Sequence, residues 1–393
     1  MAKTENESVI LPPAVLGMLG GGQLGRFFVL AAHELGYKVW VLDPDINSPA
    51  GKAADRHLCA GYEDFTALDQ LAQNCAAVTT EFENVPADTL DYLAKFIPVR
   101  PSADAVGICQ NRVAEKMFLR NNDIPHAPFL SINKADDLRN APDELFPGIL
   151  KVARFGYDGK GQARVTSREE ALHAWQGFHN EACVLEQMLS LDYEVSVVLA
   201  RDEHGNMKSF APSENEHAHG ILDISISPTR FDVSKAQGLA ERIAEQLGYI
   251  GTLAVEFFVS RGQLYVNEMA PRPHNSGHYT VDACATSQYE QQVRALTGLP
   301  LGDPHAHSAA VMVNLLGDIW YDASQPGPDS HGHYREPDWN KLLVYPNLKL
   351  HLYGKHHARP GRKMGHFTVI DTDPAKAHEI AMAARAAIGI KDE

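Results

Sequence analysis

The apolar positions open with a short unbroken run, AVLGML at residues 14–19, which reads as a buried strand. A glycine turn, GGGQLG at 20–25, follows it. Leu24, Phe27, Phe28, Leu30, Ala31 and Leu35 then recur at helical spacing as far as Gly36, where a helix is expected to stop. YKVWVLD at 37–43 has strand character. AAVTTEF at 76–82 and the helical TLDYLAKF at 89–96 continue the alternation. Strands alternating with helices across short links predict a small doubly wound α/β unit.

The pattern changes near Pro101. NRVAEKMFLRNND at 111–123 reads as a charged amphipathic helix stopped by Pro125. Strand signals then crowd together in GILKVA, CVLEQML, YEVSVVLA, LAVEFFV and QLYVNEM, with one helix at 234–248 ending on Gly248. That is an α+β pattern with several hairpins. Beyond about residue 300 a Pro/Gly/His-rich region holds strands at 310–316, 348–353 and 366–370 and a terminal helix from Pro374. The expected fold class is therefore α/β and α+β. Three domains are expected: 1–108 (α/β), 109–300 (α+β) and 301–393 (small).

Composition narrows the function classes. Of the 393 residues 44% are hydrophobic and 22% charged, enough apolar material for a core and too ordered a mix for a disordered chain. The formal charge of -15 argues against a surface that coats nucleic acid, since it would repel phosphates, but it leaves room for a small basic pocket. No apolar run approaches the ~18–20 residues of a membrane span, and no basic segment precedes an apolar stretch at the N-terminus. The five cysteines are scattered with no CxxC, so a reduced cytoplasmic protein is expected. The HxH pairs His217/His219 and His305/His307 have no cysteine partners nearby and do not read as zinc sites.

Six segments carry candidate chemistry. Gly20, Gly22 and Gly25 form GxGxxG between a strand and a helix, with Asp43 closing the next strand. This suits a dinucleotide, some other phosphate, or close packing alone. KVARFGYDGKGQ, from Lys151 to Gln162, reads as a hairpin tip whose N–H groups and Lys160 could fold over a polyphosphate, or as an ordinary Gly-rich turn. In LAVEFFVSRGQLYVNEMAPR, a three-residue loop at 261–263 would set Glu256 opposite Glu268. Two like charges ~5 Å apart call for a cation, and Mg²⁺ (or Mn²⁺) accepts a few carboxylates plus phosphate oxygens. A two-residue turn would instead put the two side chains on opposite faces. CVLEQMLSLDYEVSV offers Glu186, Gln187, Met188 and Leu189 to an adenine and Glu194 to a ribose, or is an ordinary hairpin. GKHHARPGRKMGH gathers Lys355, Arg359, Arg362 and Lys363 with no acid among them, as a phosphate-binding loop or a solvated turn. APRPHNSGHY carries Arg272, His274 and Asn275 beside the expected metal, where they could orient a substrate.

Together and in this order, the segments resemble the ATP-grasp superfamily of carboxylate–amine ligases, and within it the branch of ATP-dependent 5-aminoimidazole ribonucleotide (AIR) carboxylases. The match is carried by GGGQLGR, EFENVP, GYDGKGQ, GYIGTLAVEFF, NEMAPRPHNSGH and RPGRKMGH, spread over nearly the whole chain. The resemblance implies an ATP-grasp fold with a pre-ATP-grasp domain and a small C-terminal domain. It implies ATP contact by Arg112, Lys151, Gly156, Tyr157, Asp158, Gly159, Lys160, Gly161, Gln162, the 186–189 segment, Glu194, His217, Asn267 and Glu268. Glu256 and Glu268 would hold Mg²⁺. AIR would lie near Gly22, Gln23, Leu24, Glu81, Asn84, Tyr157, Arg272, His274, Asn275, Lys355 and Arg362. The implied reaction uses ATP and bicarbonate, through carboxyphosphate, to carboxylate AIR in purine biosynthesis. Catalysis would fall to Lys151, Tyr157, Asp158, Arg272 and His274. Asp158 and His274 are both open as acceptors of the amine proton. A homodimer is implied as well. The rivals are another ATP-grasp ligase using formate or an amino acid, an NAD-dependent oxidoreductase, and a nucleotide-binding regulator without turnover.

Overall fold

The computed structural model describes residues 9–154, 156, 161–322 and 333–390. The first unit is a four-stranded parallel sheet in the spatial order Arg56–Leu58, Lys38–Leu42, Val15–Leu19, Ala77–Thr80. The helix Gln23–Glu34 lays Leu24, Phe27, Phe28 and Ala31 against it, as the spacing of those residues predicts. Tyr289, Val293, Leu296 and Tyr353, distant in sequence, complete the same core.

Two further sheets frame the rest. The smaller is antiparallel, in the order Phe129–Ile132, Cys183–Gln187, Gly148–Val152, Gln162–Val165, and packs Leu150 and Leu185 with Leu138 and Trp175. The larger has nine strands. It runs Gln263–Ala270, Gly251–Ser260, Tyr193–Arg201, Ser213–Ala218, Ile221–Ser227, Ala309–Leu316, Lys363–Asp371, Leu348–Leu352, with Met207–Ser209 paired to Tyr193–Arg201. The helix Ser234–Gln246 covers Val197, Leu199, Leu253 and Val255 with Ala236, Ala240 and Ile243. The last three strands along that path come from the C-terminal region, so its backbone hydrogen bonds continue the central sheet.

Two expectations need correction. CVLEQML and YEVSVVLA do not form a hairpin: Cys183–Gln187 belongs to the smaller sheet and Tyr193–Arg201 to the larger. The chain crosses from one sheet to the other between them. The loop joining Gly251–Ser260 to Gln263–Ala270 is two residues, Arg261 and Gly262, not three, because Ser260 pairs with Gln263. Both turn residues have positive φ (51° and 71°), as a tight turn matched to strand twist requires. Among the described residues no helix is long and apolar enough to cross a membrane.

Candidate active site

A cleft of about 620 Å³ opens between the two antiparallel sheets. Its floor is the 251–270 hairpin. A two-residue turn alone would have sent Glu256 and Glu268 to opposite faces. The pairing slips by one residue at Asn267: Phe257 faces Val266, whereas Glu256 faces Glu268. This β-bulge returns both carboxylates to one face. The expected juxtaposition is therefore present, produced by a device the sequence reading did not contain.

The two carboxylates are not equivalent. Burial and the charge of Glu268 push the Glu256 carboxyl up to about 7. Burial pushes on Glu268 too, but Arg112, Lys151 and Arg272 outweigh it and hold that carboxyl below its ordinary value. Arg112 Nη1 lies 3.2 Å from Glu268 Oε2, and its Nη2 donates to the Gly156 carbonyl at 3.2 Å. Asn267 donates from Nδ2 to Glu256 Oε2 at 3.3 Å. Among the described residues no three or more His, Cys, Asp or Glu side chains converge as a metal cage. A facing pair of carboxylates, one reluctant to ionise without a counter-ion, suits a hard divalent ion whose other ligands are phosphate oxygens.

On the smaller sheet lies a buried charge triad completed by the helix Arg112–Asn121. Glu186 is 3% exposed and sits between Lys116 Nζ (3.1 Å) and Lys151 Nζ (3.0 Å). Burial would raise the Glu186 carboxyl, yet the two ammonium groups hold it at about 2. Lys116 also donates to the Asn267 carbonyl at 2.8 Å, which ties the triad to the bulge. Sequence reading missed Lys116. The available signal was a charged residue on the inward face of the helix Arg112–Asn121, beside the buried Leu119.

The same sheet as the 251–270 hairpin carries His217, whose Nδ1 lies 3.2 Å from Glu194 Oε2. Burial would lower this imidazole, but Glu194 and Glu256 raise it above its ordinary value. His274 Nε2 lies 3.3 Å from Glu256 Oε1, and burial with nearby positive charge keeps that ring neutral. Arg272 donates from Nε to Glu83 Oε2 at 3.1 Å. Glu83, in the EFENVP segment, is a second residue the sequence reading missed.

Of the expected site residues, the cleft gathers Asn84, Arg112, Lys151, Gly156, Gln162, Glu194, His217, Glu256, Asn267, Glu268, Arg272, His274 and Asn275. Glu186 reaches it through Lys151; Gln187 donates to the Glu144 carbonyl outside it, and the Met188 side chain is 38% exposed. Tyr157, Asp158, Gly159 and Lys160 lie outside the described residues. Lys363 lines the cleft, but Lys355 and Arg362 do not: Lys355 Nζ donates to the Lys363 carbonyl (2.6 Å) and Arg362 Nη1 to the His357 carbonyl (2.7 Å).

The glycine turn also departs from expectation. Three of the N–H groups that a phosphate could use, on Gly21, Gly22 and Gly25, are occupied by the chain's own carboxylates. Gly21 donates to Asp43 Oδ2 (2.8 Å), Gly22 to Glu81 Oε1 (2.7 Å) and Gly25 to Glu81 Oε2 (3.1 Å). Asp43, the ribose acceptor of the dinucleotide reading, is used up here and on the Tyr62 hydroxyl. A Cβ on Gly22 would sit 2.7 Å from Glu81 Oε1, so the glycine permits the carboxylate's close approach. Glu81→Ala strips the buried Gly25 N–H and the half-buried Gly22 N–H of their acceptor. It is expected to cost about 1–3 kcal/mol in urea unfolding; an unchanged midpoint would count against this role.

Residues 14–110 match the ribonucleotide synthetase preATP-grasp domain family, 117–289 the ATP-grasp domain family, and 310–380 the phosphoribosylaminoimidazole carboxylase C-terminal domain family. The chain is 41% identical over 375 residues to the N5-carboxyaminoimidazole ribonucleotide synthase of Brucella melitensis biotype 1, spanning 93% of this chain and 98% of that one. Its structure is similar to that of N5-carboxyaminoimidazole synthetase from Staphylococcus aureus complexed with ADP (TM-score 0.87, 35% identity, 96% and 99% of the two chains). It is similar also to the Aspergillus clavatus synthase in complex with ADP and 5-aminoimidazole ribonucleotide (TM-score 0.82, 30% identity, 95% and 98%).

Proposed function

We infer that this chain, which belongs to the N5-carboxyaminoimidazole ribonucleotide synthase family, runs that family's ATP-dependent carboxylation of AIR with the residues of this cleft. It is an ATP-grasp ligase of purine biosynthesis. The observation that carries the residue assignment is the facing pair Glu256 and Glu268, set beside Arg112 and Lys151 in one cleft.

A bicarbonate oxygen attacks the γ-phosphorus of ATP, giving carboxyphosphate and ADP. Mg²⁺ held by Glu256 and Glu268 would neutralise charge on the transferred phosphoryl group. Lys151 and Arg112 bring fixed positive charge to the same place, where positioning and electrostatics supply most of the rate. Arg272, aligned by Glu83, faces the carboxylate end of the intermediate. The exocyclic amine of AIR then forms the N–C bond, phosphate departs, and the nitrogen loses a proton. Water has to be kept out because carboxyphosphate hydrolyses; by resemblance that is the work of the loop containing Tyr157, Asp158 and Lys160. The same reading includes three domains divided near 108 and 300, a homodimer and a cytoplasmic location.

The direct test is phosphate release from Mg-ATP with AIR and bicarbonate omitted in turn. Release that requires both is expected. Release with formate or an amino acid in their place would transfer the assignment to another ligase of the superfamily.

The Glu256 carboxyl adds a pH test. Folding raises its pKa from the ordinary 4.5 to about 7, so the metal-free fold keeps the proton and is favoured on the acid side. That contribution falls away as pH rises through about 7. A bound cation needs the ionised form. The rise in melting temperature on adding Mg²⁺ and ADP is therefore expected to be larger at pH 8 than at pH 6. An equal rise at both would exclude Glu256 as a ligand.

A further inference from the structure

His274 turns its Nε2 edge to the cleft, where Glu256 Oε1 is a neighbour at 3.3 Å, and its Nδ1 edge into the protein. There the backbone N–H of Ser276 donates to Nδ1 at 3.3 Å, and Ser276 Oγ lies 2.9 Å from the same atom. A backbone N–H can only donate, so Nδ1 is an acceptor and the single proton of the neutral ring sits on Nε2. Ser276 Oγ accepts in turn from Ser196 Oγ at 2.7 Å, and Ser196 Oγ from Asn215 Nδ2 at 2.9 Å. Asn215 Oδ1 accepts from Ser225 Oγ at 2.8 Å, which fixes the orientation of the amide. An amide nitrogen has no lone pair to offer, so with this orientation of Asn215 the donors point through Ser196 and Ser276 to the ring. Ser213 Oγ is a further neighbour of Ser196 Oγ at 3.0 Å, and the Ser276 carbonyl is a second acceptor for Ser225 Oγ at 3.2 Å. None of the relay's members is more than 5% exposed. Gln288 clasps the backbone of the same residue, accepting from His274 N and donating to His274 O, both at 2.8 Å.

We propose that Ser276, Ser196 and Asn215 are positioning residues that lock His274 as its Nε2–H tautomer. His274 then meets bicarbonate-derived oxygens as a hydrogen-bond donor and is not the base that takes the amine proton of AIR. This rests on the ligase reading above. An Nε2 that already bears hydrogen has no lone pair in the cleft, and moving the proton to Nδ1 would set it against the Ser276 backbone N–H in a dry site. When the N–C bond forms, the proton of the amine leaves through another group.

Two measurements test the relay. In the resting full-length enzyme labelled with ¹⁵N-histidine, the His274 signals are those lost in His274→Gln. Nδ1 is expected to resonate as the unprotonated nitrogen and Nε2 as the protonated one, with Ser276→Ala mixing the two. An unprotonated Nε2 in the wild type overturns the proposal. The second measurement is turnover. A glutamine amide can place an N–H near the Nε2 position and an asparagine cannot, so His274→Gln should keep ~10-fold more AIR-dependent phosphate release than His274→Asn. Equal loss in both variants means a base, not a donor. Ser276→Ala and Ser196→Ala should lower kcat ~10-fold with the KM for ATP unchanged, and neither should lower kcat further in the His274→Gln background. An additive loss there marks a merely structural role. If the wild type released no phosphate with AIR and bicarbonate, the ligase reading would fall, and the tautomer spectrum would still decide the relay.

Discussion

Glu256→Gln is expected to lower AIR-dependent turnover by at least ~100-fold, more than the loss usual for a group that only supports a metal ligand, while the fold stays intact. Glutamine matches the volume of glutamate and keeps one oxygen, but it cannot contribute charge to a divalent ion. The stability half of the prediction is the more discriminating. At pH 8 the metal-free wild type holds two ionised carboxylates face to face on one hairpin, with Glu256 pushed up to about 7 by burial and its partner. Removing one charge removes that repulsion, so the variant should unfold at the same or a higher temperature without Mg²⁺. Added Mg²⁺ and nucleotide should then stabilise it less than they stabilise the wild type. Near wild-type turnover would refute the metal assignment. Marked unfolding of the metal-free variant would show that Glu256 serves the fold instead.

The second large effect lies one layer deeper. Glu186→Leu leaves Lys116 and Lys151, with side chains only 1% and 8% exposed, without their shared counter-ion. Breaking a buried ion group from one side typically costs about 3–5 kcal/mol, because the remaining charge can be neither hydrated nor paired. Denaturant unfolding should register that loss near pH 7. Burial already draws the Lys151 ammonium below its ordinary pKa, so in the variant Lys151 should release its proton as pH rises, and the deficit against wild type should narrow. In the wild type the pH dependence lies on the acid side. Glu186 is held at about 2, below the ordinary 4.5, so its contribution is complete above 4.5 and disappears as pH falls through about 2. A deficit under about 1 kcal/mol, or one that ignores pH, would show that the triad is more solvated than its geometry indicates.

Much of the fold was legible because apolar periodicity is written locally. The strands Val15–Leu19 and Gly251–Ser260 and the helix Gln23–Glu34 each bury the face their own residues mark out. The strand Ser213–Ala218 was not legible. Its sequence, SENEHA, has no apolar alternation, since Asn215 faces inward to hydrogen-bond Ser196 and His217 faces the cleft. The smaller sheet's separation from the larger was equally hidden. CVLEQML and YEVSVVLA look like hairpin partners, and only packing against Leu138 and Trp175 on one side and the 234–246 helix on the other assigns them to different sheets.

What the sequence determined by itself was the chemical inventory and its order along the chain: two glutamates twelve positions apart, a lysine before a glycine-rich tip, and the Arg-Pro-His-Asn run after the second glutamate. Residue type and local spacing suffice for that. The tertiary structure decided which groups meet. The two-residue turn and the bulge at Asn267 jointly set the glutamates on one face, and Glu81, just past the strand Ala77–Thr80 and 56 residues beyond Gly25, filled the glycine turn. Lys116, Glu83, Ser196 and Asn215 joined the site through contacts with residues distant in sequence. Register and burial are properties of the assembled sheets. A one-residue slip reverses every side chain of a strand, and charge in a dry site depends on neighbours that only folding supplies.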